Sequence, residues 1–371
     1  MLKKNLLTTL IASLLLIFSS NVLAQLNILG IGKYDISGVP TDQEGLSGIT
    51  WAGGNTYYAA EDSGGRLHKL TINIDLSTGA IIGSPTDDSQ ATLNGRTDIE
   101  GVAYAGSNQV YVSDETGATI TKYNVSGGNS TGSISVPDIY TAYRTNRSLE
   151  SLTRQSNGAS IWTANEEALN GTTNGGTSVD DGPEASTSDG TVVRLQKFNS
   201  SLDPAGQWAY KTEDVKGLDG NRGVSDLCVL PDGQLLVLER EAYWNGSLWG
   251  DTIDYRNAIY LVDFSGATDV SGITSLNGAS YTLVSKSLLW SATFDDDMFE
   301  GLCLGPQLND GSYSLLMISD GDSFDPPLGS TQNPGESIYA LKISGVIPEP
   351  VSIFMMILCF SAIISGKTRK S

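Results

Sequence analysis

Asp98-Ile99-Glu100-Gly101-Val102-Ala103, answered by Val110-Tyr111-Val112-Ser113-Asp114-Glu115, is the stretch that decides the fold. An acidic motif opens a short apolar run, and after a turn a second apolar run ends in acid. The same pattern opens at Glu44-Gly45-Leu46-Ser47-Gly48-Ile49, Leu149-Glu150-Ser151-Leu152, Val224-Ser225-Asp226-Leu227-Cys228 and Phe299-Glu300-Gly301-Leu302-Cys303. The answering runs are 57–62, 161–167, 235–239 and 315–320. A unit of roughly fifty to seventy-five residues that repeats, each copy holding several short strands, is the signature of a β-propeller. The expected fold is therefore all-β, a propeller of five four-stranded blades, with room for a sixth in the long spacings from Glu150 to Asp226 and from Asp226 to Glu300. Equal placement of the acids in each copy should gather Glu44, Glu100, Glu150, Asp226 and Glu300 around one axis.

Composition agrees with that reading. The chain has 371 residues, 42 of them glycine, with 39% hydrophobic and 17% charged residues, enough for a large core joined by many turns. A formal net charge of -20 excludes nucleic acid and anionic membrane surfaces as partners. Within the repeats, the second is expected to give strands at 99–104, 109–113, 119–124 and 132–136. The segment 26–36 precedes the first motif and is expected to complete the blade that ends near Ile343, which removes an exposed sheet edge. Residues 166–190, rich in Asn, Gly, Thr and Ser, are expected to form a loop over one face.

The two ends read as addresses. Met1-Leu2-Lys3-Lys4, an apolar stretch to Phe18 and Val22-Leu23-Ala24 make residues 1–24 a secretory signal peptide. The domain then spans 25–344. In 345–371, Pro348-Glu349-Pro350 precedes an apolar segment from Val351 to Ile364 and a basic end at Lys367, Arg369 and Lys370. As a helix that segment is about 21 Å long against a hydrocarbon core of roughly 30 Å, a marginal transmembrane helix. It resembles the PEP-CTERM sorting signal. That resemblance implies an exosortase-type sorting machinery as partner, export, and delivery to the cell surface or extracellular matrix of a Gram-negative bacterium. The membrane is then touched only through this segment.

The repeats themselves resemble the phytase-like family, described as the esterase-like domain of phytase. The motifs that carry the resemblance are Gly45-Leu46-Ser47-Gly48-Ile49, Asp98-Ile99-Glu100-Gly101 with Tyr111-Val112-Ser113-Asp114-Glu115, Asn221-Arg222-Gly223-Val224-Ser225-Asp226-Leu227 and Leu236-Val237-Leu238-Glu239-Arg240. The likeness spans about residues 40 to 343 and departs from the pattern at Ser225-Asp226 and at Glu150-Ser151. It implies a propeller with hydrolase activity on a phosphoester or other ester.

Carboxylates crowded around an axis need counter-charge, since two about 7 Å apart repel by roughly 2 kcal/mol at an effective dielectric of about 20. Arg96, Arg147 and Arg222 precede three of the motifs and are candidates both for neutralising the ring and for binding substrate. The first and fifth repeats lack such an arginine, which makes Glu44, Glu61, Asp62, Glu300 and Asp320 candidate ligands of calcium at their seam. Glu100, Glu150 and Asp226 are the candidate catalytic acids. His68 is the one histidine and no Gly-x-Ser-x-Gly elbow exists, so a Ser-His-Asp hydrolase is unsupported. Three functions stand at this point: an exported hydrolase of small ester or phosphoester substrates, a non-catalytic propeller that binds a matrix polysaccharide or a protein, and a calcium-dependent lactonase-like propeller, a kind that usually relies on histidine, which is scarce here.

Overall fold

The computed structural model describes residues 25–40, 45–62, 64–245, 252–295, 297–321 and 335–347. The signal peptide, Glu44 and residues 348–371 of the sorting segment therefore lie outside the described residues. Five four-stranded antiparallel sheets form the blades. Blade 1 is β2 (Leu46–Gly53), β3 (Thr56–Glu61), β4 (Arg66–Thr71) and β5 (Thr86–Thr92); blade 2 is β6 (Ile99–Gly106), β7 (Gln109–Asp114), β8 (Thr119–Asn124) and β9 (Asn129–Ile134). Blade 3 is β10 (Thr153–Arg154), β11 (Ser160–Ala164), β14 (Val192–Asn199) and β15 (Pro204–Lys211). Blade 4 is β16 (Leu218–Val229), β17 (Leu235–Asn245), β18 (Thr252–Asp263) and β19 (Ser285–Phe294). Blade 5 is β20 (Met298–Gln307), β21 (Tyr313–Asp320), β22 (Ser337–Ser344) and, as its outer strand, β1 (Asn27–Asp35). The inner strands β2, β6, β10, β16 and β20 touch in a closed ring, each running in the same direction along the axis.

Blade 5 closes as the sequence implied: β1 pairs with β22 from Asn27↔Ser344 to Asp35↔Ser337. There are five blades. The room for a sixth is taken by a small hairpin, β12 (Asn170–Thr172) with β13 (Ser178–Asp180), and by the long β17–β18 hairpin and the segment after it.

The core is divided among the five seams between blades, because successive side chains of a strand point to opposite faces. In β3, Tyr57 and Ala59 pack toward Leu316, Ile318 and Ile338 of blade 5, whereas Tyr58 and Ala60 pack toward Val102, Val110 and Val112 of blade 2. Each fully buried Leu or Ile contributes about 1.5–3 kcal/mol, so the seams rather than the sheets alone hold the ring. At the axis the inner strands approach so closely that a side chain does not fit. A Cβ on Gly48 would meet the Glu100 carbonyl at 2.2 Å, and one on Gly101 would meet the Leu152 nitrogen at 2.4 Å. That crowding is the physical reason for the glycine after the acid.

The 166–190 insertion differs from the expected loop over a face. It folds as the β12–β13 hairpin beside blades 2 and 3, with Leu169 and Val179 buried against Tyr140, Ala142 and Phe198. Asp181 then takes both arms of the buried Arg194 guanidinium, at 2.6 Å (Nε to Oδ2) and 2.7 Å (Nη2 to Oδ1), and accepts the Leu276 N–H. A polar stretch lacking a core of its own is thus ordered by two borrowed apolar contacts and one buried ion pair. Among the described residues no helix is long and apolar enough to cross a membrane.

Candidate functional site: an acidic cup at one mouth of the channel

In four blades the ladder between the first two strands skips at the same place. Ser47 lies in the skip between Leu46↔Glu61 and Gly48↔Ala60, Glu100 between Ile99↔Asp114 and Val102↔Val112, Ser225 between Val224↔Glu239 and Asp226↔Leu238, and Glu300 between Phe299↔Ser319 and Gly301↔Ile318. In blade 3 the bridge Leu149↔Asn165 sets Glu150 at the same level. These bulges form an inner ring of Ser47, Glu100, Glu150, Ser225 and Glu300. Bulges re-aim a side chain, here toward the channel.

A second ring follows the ends of the second strands: Asp62, Glu115, Glu166, Arg240 and Asp320. Asp62, Glu115 and Glu166 are fixed by their own N–H groups, each bonded at 3.0 Å to the carbonyl of Gly45, Asp98 and Ser148 respectively. Arg240 and Asp320 stand opposite Gly223 and Met298. Both rings occupy the mouth at the N-terminal ends of the inner strands.

The cup is negative and short of cations. Arg240 is buried, with Nη2 at 3.0 Å from Glu166 Oε1 and 2.9 Å from Glu300 Oε1. Arg147 reaches Glu166 Oε2 at 3.1 Å and Glu167 Oε1 at 3.2 Å. The remaining carboxylates repel one another. Burial, then the charges of Asp62, Glu300 and Glu115, raise the Glu100 pKa well above the carboxylate range. Burial, then Glu100, Glu166 and Glu115, do the same to Glu150. Burial pushes Glu115 up to about 7 against the pull of the Ser148 N–H, and burial with Glu166 pushes Glu167 up to about 7.

Not every expected residue joins this cup. Asp226 stands one step deeper, in the slot that holds Gly48, Gly101, Ser151 and Gly301 elsewhere. Its carboxylate accepts the N–H groups of Leu227 (2.8 Å), Leu152 (3.4 Å) and Leu302 (2.7 Å), bridging the inner strands of blades 3, 4 and 5. Asp226 is a strut across the axis, and Ser225 holds the ring position.

Arg96 is turned into blade 2, donating to Tyr123, Thr119 and Thr121 and lying 3.3 Å from Asp114. Arg222 is buried within blade 4 on Glu239 and Glu241, at 2.7 Å each. Of the three arginines only Arg147 reaches the cup. Glu61 is likewise turned away, held by Arg66 and by His68 Nε2 at 2.9 Å. The other ring nitrogen of His68 meets Asp87 at 2.9 Å. Burial opposes the charged form of His68, but its bonds to Asp87 and Glu61 raise the pKa, so it is a structural residue of blade 1 held between two carboxylates.

Among the described residues, two acid sets have oxygens close enough to share one ion: Asp98, Glu100 and Glu115, and Glu115, Glu150 and Glu166. Both lie on blades 2 and 3, away from the seam of the first and fifth repeats. Arg240, Glu115 and Glu166 were not among the expected site residues. Extending the run 235–239 by one residue places Arg240 in register with Asp62, Glu115 and Asp320.

A family profile described as "Phytase-like: Esterase-like activity of phytase" matches residues 41–323. The chain belongs to the phytase-like family. No curated protein matches this phytase-like chain. Solved propellers resemble it at low identity. A luciferin-regenerating enzyme is 12% identical with a TM-score of 0.40, covering 87% of this chain and 97% of its own. The glutaminyl cyclase of Myxococcus xanthus is 10% identical at 0.40, with 87% and 98% covered. The PQQ-bound aldose sugar dehydrogenase of Streptomyces coelicolor is 10% identical at 0.38, with 86% and 99% covered. At these scores none bears on the chemistry of the cup.

Beside the carboxylates lies a pocket of about 200 Å³, walled by Tyr243, Trp244, Ile253, Tyr255 and Met298 and edged by Arg147 and Arg240. The long β17–β18 hairpin supplies most of that wall. A charged cup with an apolar shelf can hold a molecule that has one polar, reactive end.

Proposed function

We propose that the protein is an exported hydrolase of ester substrates working in the acidic cup. The observation that carries this reading is the pair Glu100 and Glu150, neighbours in one ring and both raised well above the carboxylate range, Glu100 by burial and then Asp62 and Glu300, Glu150 by burial and then Glu100. Neighbouring buried carboxyls of this kind share a proton, so one is available as base and one as acid. The charged member takes a proton from a water aimed at the ester. The protonated member then gives its proton to the leaving alkoxide, and the two exchange roles. Arg240 bridges Glu166 and Glu300, and Arg147 pairs with Glu166, which sets positive charge beside the Glu100–Glu150 pair. The apolar shelf of Trp244 and Tyr255 receives the acyl or alcohol portion.

The cup's surplus of negative charge repels a phosphate dianion, so this site as it stands favours an uncharged carboxylic ester. Its all-oxygen donor sets suit a hard cation such as calcium, and Asp98, Glu100, Glu115, Glu150 and Glu166 are the residues that would hold it. A bound cation would supply charge neutralisation and polarisation of a phosphoryl or carbonyl oxygen. Export by the N-terminal leader and sorting through the C-terminal segment complete the reading, and both rest on the sequence patterns given above.

The test compares nitrophenyl acetate, butyrate and phosphate as substrates, each with calcium and with chelator, on the wild type, Glu100→Gln and Glu150→Gln. Carboxylic ester turnover lost in both variants, with phosphate turnover only in calcium, is the expected pattern. A folded protein with no turnover on any substrate removes the hydrolase and leaves a binding propeller.

A further inference from the structure

The inner strands have a second mouth, at their C-terminal ends, and a cavity of about 500 Å³ opens there. It is lined by Ile49, Val102, Leu152 and Leu302 in depth, and by Trp51, Tyr104 and Tyr313 nearer the rim. The Asp226 strut, bonded to the N–H groups of Leu152 and Leu302, sits between this cavity and the acidic cup. A volume of that size falls within the range of small-molecule sites, roughly 300–1,000 Å³.

One cation lines it. Arg154 forms no ion pair among the described residues, whereas each of the other described arginines lies within 4.0 Å of a carboxylate. In a chain of net charge -20, an arginine left without a carboxylate is the exception. Its one hydrogen bond among the described residues is long, 3.5 Å from Nη1 to the Tyr104 carbonyl. The seat is shaped for it: a Cβ at Gly158, where φ is +75°, would stand 2.5 Å from the guanidinium Nη2. Thr50 and Thr153 add polar groups. Their Oγ1 atoms accept the N–H groups of Tyr104 and Val229, which leaves each O–H able to donate.

We infer that this second mouth binds a small organic carboxylate, its charge on Arg154 and its ring or chain against Trp51 and Tyr104. A guanidinium fork matches a carboxylate in two parallel bonds, and the apolar depth rewards a body that a bare ion lacks. The site is independent of the acidic cup.

The experiment titrates the full domain with benzoate and glucuronate, with benzyl alcohol and glucose as uncharged counterparts, and with inorganic phosphate as the bare anion. Tryptophan fluorescence and calorimetry report binding. The carboxylates should bind at least about tenfold more tightly than their uncharged counterparts, and Arg154→Gln should erase that preference while melting like the wild type. Glu100→Gln, at the other mouth, should leave the titration unchanged. Equal binding of charged and uncharged probes, wild-type binding by Arg154→Gln, loss of binding in Glu100→Gln, or no carboxylate binding up to about 20 mM would each overturn the assignment. Phosphate binding as tightly as both carboxylates would overturn the role given to the apolar wall.

Discussion

Replacing Asp226 by Asn keeps the shape of the side chain and removes its charge. The carboxylate faces three N–H donors, at 2.8, 3.4 and 2.7 Å, and no acceptor among the described residues. Burial drives its pKa well above the usual range and those three donors pull it back. A protonated acid would set its own O–H against one of them, so the geometry holds the ionised form. Asn can satisfy Leu227 and Leu152 through its oxygen, but its NH2 must then confront the Leu302 N–H. The loss of one charge-assisted bond, about 1.5–3 kcal/mol, and the stranding of one buried donor, about 1–3 kcal/mol, relax to a net cost of about 3 kcal/mol. With unfolding entropy near 2.1 cal/mol/K per residue over roughly 320 residues, that cost lowers Tm by about 4–5 °C. Calorimetry of wild type and Asp226→Asn reads the shift, and ester turnover per folded molecule should not change. An unaltered Tm, or lost turnover at an unaltered Tm, would refute the strut and return Asp226 to the chemistry.

The folded chain holds protons on Glu115 and Glu167 up to about pH 7, while the unfolded chain releases them near the ordinary glutamate value of 4.5. Stability therefore falls as pH rises from about 4.5 through 7, and Tm should be lower at pH 8 than at pH 5; a rise would contradict the repulsion described. His68 acts with the same sign, since its folded pKa is raised and its contribution fades as pH rises through that value. Glu150→Gln should abolish turnover yet raise Tm at alkaline pH, because it removes a buried carboxyl whose charged form burial, Glu100, Glu166 and Glu115 all oppose; simultaneous loss of stability would argue against it. Asp181→Ala leaves Arg194 buried and unpaired, which should cost about 3–5 kcal/mol and open the hairpin at 170–180 to limited proteolysis.

The ring of blades was legible because hydrophobic runs repeat, and each run must bury both faces between two neighbours. The closing strand was legible because 26–36 had no repeat of its own. The site was legible in kind but not in register. The bulge in four of the inner strands shifts the count by one, so the equivalence assigned to Asp226 belongs to Ser225, and Leu46↔Glu61 sets Ser47 in line with Glu100. Period two explains the rest. Glu61, Asp114 and Glu239 precede the second-ring residues by one and face into their blades, where Arg66, Arg96 and Arg222 meet them. Sequence adjacency to an acid could not say which face an arginine would take.

The closure of blade 5 has a consequence in time. Strand β1 leaves the ribosome first and finds β22 last, joining positions 317 residues apart. Closing a loop of that length costs about 5 kcal/mol of chain entropy before any pairing repays it. Until then β22 offers an open edge to whatever strand arrives. At high concentration the arriving strand is β1 of another molecule. Two chains then complete each other's fifth blade, and refolding in crowded solution should yield such exchanged pairs in proportion to protein concentration.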